Sequence, residues 1–385
     1  MAIFMTGATG YLGSYVAQEF LRNSQEPLAL LVRAESRHVA AQRLWRALQL
    51  HMDFEEFETF VHGRVQIFLG DITEPRLGLS TADYHQLVRM TNSVVHIAAS
   101  LNRRSEKSCM NVNLRGTLAV AKLAYAAHTH HGLRRFSEVS TTAVAGRRNS
   151  ETVFEDRAIE WDRSDYDPYA RSKKFCEHLL HEALPGVPVT IFRPSIVLGD
   201  SRMAATTQFD MLRAFAFLAR LPVIPVPRKT RLDIVPADYV GRAIAHVHLL
   251  DRPEHRIYHL SAGAHSQTAE EIMAGLRLFG KPLSGRLLGM MAQPTGQLSA
   301  ALAITPRRFG LSGPASLLKV FWPYITFNTV FDNSRIVSAV GAPPRCTEYM
   351  SPVLEFGIRH NFTYPYKPWP MEARRLGVGG SLSLR

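Results

Sequence analysis

Thr6-Gly7-Ala8-Thr9-Gly10-Tyr11-Leu12-Gly13 stands directly behind the apolar run Ala2 to Thr6 and directly ahead of a stretch with helical periodicity, Tyr11 to Arg22. Glycine permits a tight turn, close approach of the backbone to a ligand and close packing of a helix on a strand. The start of the helix adds free N–H groups and a partial positive charge, which suit a pyrophosphate. A glycine triplet alone says little. Between a first strand and a first helix it marks a dinucleotide site, with Thr6, Gly7, Thr9, Gly10, Tyr11, Leu12 and Gly13 around the phosphates.

Outward from this loop, short β-branched runs alternate with helical stretches. Strands are expected at Ala2 to Thr6, Leu28 to Val32, Val65 to Leu69, Ser93 to Ala98, Arg135 to Ser140 and Val187 to Arg193, with a seventh at Arg256 to Ser261. Helices are expected at Tyr11 to Arg22, Ser36 to Leu50, Thr81 to Met90, Met110 to His128, Pro168 to Glu182 and Pro236 to Leu250. The pattern predicts an α/β fold, a Rossmann-type doubly wound parallel sheet with a smaller, mainly helical C-terminal substrate lobe. Residues 1–200 form the nucleotide-binding domain, completed by about 231–263. Residues 201–230 and 264–370, rich in Pro, Gly, Leu and Phe, form the lobe, and 371–385 read as a flexible tail.

The chain has 385 residues, 46% of them hydrophobic and 20% charged, which excludes a disordered or fibrous protein. The greasiest stretches, Phe209 to Pro227 and Leu311 to Phe331, are broken by charges and prolines, so no transmembrane segment is expected and only peripheral membrane contact stays open. A strand at Ala2 leaves no room for a signal peptide, and a cytoplasmic protein is expected. Cys109, Cys176 and Cys346 are too scattered for a disulfide framework, and no metal site is expected, His128, His130 and His131 included. A net charge of +12 points to an anionic partner. The cations are dispersed without interleaved aromatics, which excludes nucleic acid.

Tyr169 and Lys173 lie four apart on the helix opened by Asp167-Pro168, hence on one face. A phenol exchanges protons poorly near neutrality, and an adjacent cation favours its ionised form. Thr141 ends the fifth strand at its carboxyl edge, where ligands of open α/β sheets sit, and can donate to a substrate oxygen. Ser140 is the alternative hydroxyl, offset by one residue to the other face. Arg33 ends the second strand, where NAD-selective proteins place an acid, and favours the 2′-phosphate of NADPH, with Arg43 or Arg37 as a second cation.

The G-x-x-G-x-x-G spacing resembles the extended short-chain dehydrogenase/reductase family. Gly70-Asp71-Ile72-Thr73-Glu74-Pro75, Phe192 to Ser201 and Asp233 to Val240 are similar to its fatty acyl and thioester reductase branch, the male-sterility type, across about residues 1 to 263. The resemblance implies that Asp71 and Ile72 meet the adenine, and that Ala98 and Ala99, after a structural His96, run past the cofactor. It also implies that Arg193, Pro194, Ser195 and Val197 border the cofactor, and that Asn113 steadies Lys173 through water, while Lys173 holds the nicotinamide ribose. The implied reaction is NADPH-dependent reduction of an acyl thioester, carried by coenzyme A or an acyl carrier protein, to an aldehyde and on to an alcohol. Phe209 to Phe217 and Leu311 to Phe331 would line an acyl channel. Simple core packing explains those stretches as well. The rival readings are a ketone or hydroxysteroid-type dehydrogenase, a nucleotide-sugar epimerase, and a non-catalytic NADP sensor, against which Thr141, Tyr169 and Lys173 weigh together.

Overall fold

The structure, a computed structural model, describes residues 1–292 and 328–370 together with Thr295, Gln297, Trp322, Ile325 and Thr326. Seven strands form one sheet: β1 (Ala2–Thr6), β2 (Leu28–Val32), β3 (Val65–Leu69), β4 (Thr91–His96), β5 (Arg135–Val139), β6 (Val189–Pro194) and β7 (Ile257–Leu260). They are parallel throughout, in the order β7-β6-β5-β4-β1-β2-β3. The chain therefore leaves β1 in one direction and returns beside it as β4. That reversal opens a crevice at the carboxyl ends of β1 and β4, as in Rossmann sheets.

Burial on both faces explains why the strands read as continuous apolar runs rather than alternating ones. Ile3 and Met5 join Leu28 and Leu30 under α1 (Tyr11–Asn23) and α2 (Arg37–Leu48), while Ala2, Phe4 and Ala29 turn to the opposite core. Each such leucine or phenylalanine contributes roughly 1.5 to 3 kcal/mol by leaving water. A helix the periodicity does not announce, α3 (Phe54–Arg64), follows α2. Its signals are local: Asp53 accepts from the Glu56 N–H as N-cap, and Glu55 and Glu56 fill the first turn. Beyond it come α4 (Thr81–Met90), α5 (Gly116–His131) and α6 (Pro168–Ala183). The single helix expected from Met110 instead opens with a π-helical turn, Met110–Arg115, before α5.

A separate apolar core gathers α7 (Asp210–Leu218), α9 (Ala269–Gly275) and α11 (Cys346–Arg359). Between them in sequence, α8 (Ala237–Leu249) packs on α1 and belongs to the sheet. So does α10 (Ser334–Val340), whose Ile336 is buried in the sheet's core, while Val330–Phe331 pair with Thr152–Val153. Part of the segment expected to belong wholly to the lobe thus returns to the nucleotide side. The expected flexible tail, 371–385, lies outside the described residues.

Arg135 ties two of these layers together. From β5 its buried guanidinium donates to the carbonyls of His248 at 2.6 Å, Leu250 at 2.7 Å, Asp251 at 3.2 Å and Val247 at 3.3 Å. Val247 and His248 lie in the last turn of α8, whose carbonyls lack partners within the helix, and Leu250 and Asp251 follow it directly. We expect Arg135→Met to lower unfolding free energy by about 2 to 3 kcal/mol in urea titrations; a loss within error of zero would refute this bracing.

Candidate active site

The glycine loop is built by exclusion. Gly7 has φ +82°, and a Cβ there would stand 2.7 Å from the Ala98 nitrogen. A Cβ on Gly13 would meet the Gly7 carbonyl oxygen at 1.9 Å. Only glycine lets α1 start this close to β1. Gly10 caps α1 without a side-chain acceptor, so the first-turn N–H groups stay available to a ligand. This cradle suits a pyrophosphate and lines a crevice of about 650 Å³.

Toward the end of β2 the same crevice is bordered by Arg33, Arg43, Asp71 and Ile72. Arg33 lies 3.4 Å from Asp71 Oδ2, and Arg43 donates to the Arg33 carbonyl. Asp71 Oδ1 accepts from the Thr73 N–H at 2.9 Å and the Thr73 hydroxyl at 2.8 Å. Burial works to raise the Asp71 carboxyl, but these bonds and Arg33 outweigh it and hold it below its usual value. The Arg33 side chain is 74% exposed, so its guanidinium can leave this weak pair for a phosphate.

At the other end stand Thr141, Tyr169 and Lys173, with Ala98, Ala99, Pro194, Ser195 and Val197 in the same wall. Thr141 Oγ1 accepts from the Ala143 N–H at 3.2 Å, capping a short 3-10 turn. Ser140 faces away, as the strand register requires, and donates to Glu177. On α6, Asp167 accepts from the Ala170 N–H at 2.8 Å, with Pro168 in the first turn. Lys173 is buried, and its Nζ donates to Glu138 Oε1 at 2.8 Å and to the Val139 carbonyl at 2.7 Å. Burial opposes its charge, but Glu138 and Tyr169 hold the ammonium above its usual pKa.

Two expectations need correction. Lys173 was expected to make Tyr169 more acidic. Burial instead raises the phenol, against the pull of Lys173 and Arg103, and the net shift is upward. Arg193 does not line the crevice. Turned to α6, it donates to Glu177 Oε2 at 2.6 Å and the Glu155 carbonyl at 2.8 Å, a buried ion pair that strand composition alone did not disclose. Asn113 accepts from the Ser100 N–H at 2.7 Å and donates to the Ser172 hydroxyl at 2.8 Å, latching the loop after β4 to α6.

His96 is structural as expected, bonded to Thr6 Oγ1 and Thr117 Oγ1, and burial and Lys173 depress it to about 3. Of the expected acyl-channel stretches, Phe209 and Phe215 pack in the second core, whereas Met211 reaches the crevice. Most of Leu311 to Phe331 lies outside the described residues, and Phe331 from its end lines the crevice. Sequence reasoning missed Arg103 and Asp233, both in the crevice wall. Arg103 pairs with Asp167 at 3.2 Å and sits 5.4 Å from the Tyr169 ring centre. Asp233 accepts from the Ala262 N–H at 2.7 Å, and burial pushes its carboxyl up to about 7. Asp233 opens the Asp233 to Val240 stretch, which carried the family resemblance without marking this residue as part of the site, and Arg103 belongs to no motif. No cluster suited to a metal exists among the described residues, nor a helix long and apolar enough to cross a membrane.

The family model for the male sterility proteins, an NAD-binding family, matches residues 5–244. A linear gramicidin synthase polypeptide of Brevibacillus parabrevis is 28% identical over 262 residues, covering 67% of this chain and 5% of that protein. Aldehyde reductase lnbA of Aspergillus flavus is 27% identical over 269 residues, covering 67% of this chain and 26% of that one. The chain thus spans about a quarter or less of these curated relatives. The crystal structure of the terminal R domain from the myxalamid PKS-NRPS biosynthetic pathway superposes with a TM-score of 0.78 at 27% identity, covering 94% of this chain and 91% of that one.

The loop geometry carries its own test. Gly13→Ala must push α1 away from the Gly7 carbonyl. We expect a loss of about 1 to 3 kcal/mol in chemical denaturation, together with weakened binding of reduced dinucleotide by fluorescence titration; unaltered affinity in the folded variant would refute the cradle.

Proposed function

Since the chain belongs to the male sterility protein family, within the extended short-chain dehydrogenase/reductases, and is an oxidoreductase of NAD(P)-binding type, we propose that it is an NADPH-dependent acyl thioester reductase. One observation carries this reading: the glycine loop and the Thr141, Tyr169 and Lys173 side chains line a single crevice. Among the described residues the Tyr169 hydroxyl has no hydrogen-bond partner, which leaves it for a ligand.

In this proposal the first turn of α1 would hold the pyrophosphate, and Arg33 and Arg43 would hold a 2′-phosphate. Bound NADPH supplies a hydride to the thioester carbonyl carbon. As charge develops on the carbonyl oxygen, Thr141 and Tyr169 hydrogen-bond it, and Tyr169 gives up its proton. The resulting hemithioacetal collapses, the thiol leaves and an aldehyde remains. Reduction of the aldehyde to the alcohol needs hydride from a second NADPH, and Thr141 and a Tyr169 that has regained its proton from solvent would serve again as donors. Lys173 offers its remaining N–H to the ribose, and Asn113 keeps the loop after β4 fixed to α6. A chain held by a carrier protein is favoured over coenzyme A by the likeness to a terminal R domain of a multienzyme pathway. The reaction belongs to the cytoplasm on this reading.

Purified protein should oxidise NADPH in the presence of a carrier-bound or coenzyme A acyl thioester and release aldehyde. Tyr169→Phe should lower kcat roughly 100-fold or more while leaving NADPH affinity within a few-fold; unchanged turnover would reject the proton donor. Arg33→Asp should weaken NADPH far more than NADH in binding titrations, and equal effects on both would reject the choice of cofactor.

A further inference from the structure

Behind Lys173 the sheet carries a carboxylate that the reaction above does not itself call for. Glu138 on β5 is fully buried, and its Oε1 takes one N–H of the Lys173 ammonium at 2.8 Å. A second N–H goes to the Val139 carbonyl at 2.7 Å. An ammonium has three donors. Two of them are therefore held on adjacent residues of one rigid strand, and the direction of the third follows. Among the described residues Glu138 Oε2 has no hydrogen-bond partner, so Lys173 is the only side chain there that bonds this carboxylate. Glu177, the other acid facing it, is bonded to Arg193 and Ser140.

The charges around Tyr169 come from four places. Lys173 on α6 and Arg103 from the loop after β4 favour the phenolate, while Asp167 at the start of α6 and Glu138 from β5 oppose it. Burial adds to the opposition. Reduction draws a proton out of this phenol, so the phenol has to be protonated when substrate arrives. A lone lysine next to it would favour early loss of that proton; a lysine backed by a carboxylate does so less, because the pair is nearly neutral seen from the ring.

We propose that Glu138 is a positioning residue for the reduction: it aims the third donor of Lys173 into the crevice and offsets the lysine charge, so that Tyr169 enters each turnover carrying its proton. The inference rests on Tyr169 being the proton donor. It adds that the strand beneath the lysine, and not the lysine alone, decides the pH range in which the donor works.

Glu138→Gln keeps the shape and removes the charge. In NADPH oxidation with an acyl thioester, the alkaline limb of the kcat profile should move to lower pH by roughly one unit or more, because Tyr169 and Lys173 then share their last proton without the carboxylate. In the cofactor-free protein, the phenolate absorbance that Tyr169→Phe abolishes should appear at lower pH in the Glu138→Gln background. Glu138→Asp, which retains the charge one methylene further away, should fall between the two. Lower thermal stability with both pH transitions unmoved would assign Glu138 to packing and overturn the proposal, as would an unmoved limb in whichever of the two variants folds. Should the unaltered protein reduce no thioester, or Tyr169→Phe remain fully active, the functional reading fails; the phenolate titration still decides what Glu138 does to the ring.

Discussion

No side chain fits between Gly13 and the carbonyl of Gly7, and the active site follows from that contact. Because α1 begins hard against the end of β1, its uncapped N–H groups look into the gap between β1 and β4 rather than past it. The approach of Ala98 to Gly7 seals the other side of the gap. The sheet order then brings β5 alongside β4, so that Thr141 leaves its strand at the edge where the loop has already made a phosphate cradle. A bulkier residue at either glycine would separate the two halves of the crevice even if every other side chain kept its place.

The second constraint is electrostatic. Beneath the crevice lie Lys173 with Glu138, Arg193 with Glu177, and Arg335 beside Glu155, the first two pairs almost wholly buried. Buried ion pairs contribute little net stability, because desolvation cancels much of the attraction, but removing one partner is costly. Such pairs hold geometry well. They fix where the lysine points, and they fasten α6 to β5 and β6, which is the framework on which Tyr169 is carried.

Much of this was legible in the residues themselves. The glycine spacing, the strand and helix periods and the four-residue separation of Tyr169 and Lys173 are local patterns, and each reports a local geometry. The helix at Phe54–Arg64 is also locally signalled, by Asp53 and the two glutamates behind it, but Phe57 is the one residue it buries, too little for an apolar stripe to announce it. What the sequence could not reveal depends on pairs distant along the chain. Glu138 and Lys173, Arg193 and Glu177, and Arg103 over Tyr169 meet only once strands and helices have docked. For the same reason the sequence shows only one side of the balance at Tyr169: the cation that lowers it is visible within one helical turn, whereas the burial that outweighs it is a property of the whole fold.

The π-helical turn at Met110–Arg115 has a consequence for how the helix around it can change. A wider turn holds one residue more than an α-helical turn would, and each residue advances the helix by about 100°. Asn113 reaches both Ser100 and Ser172 only at that phase. Deleting a single residue ahead of Asn113 would leave a more regular helix with its asparagine rotated to the wrong side, so this irregular stretch tolerates being made ideal poorly.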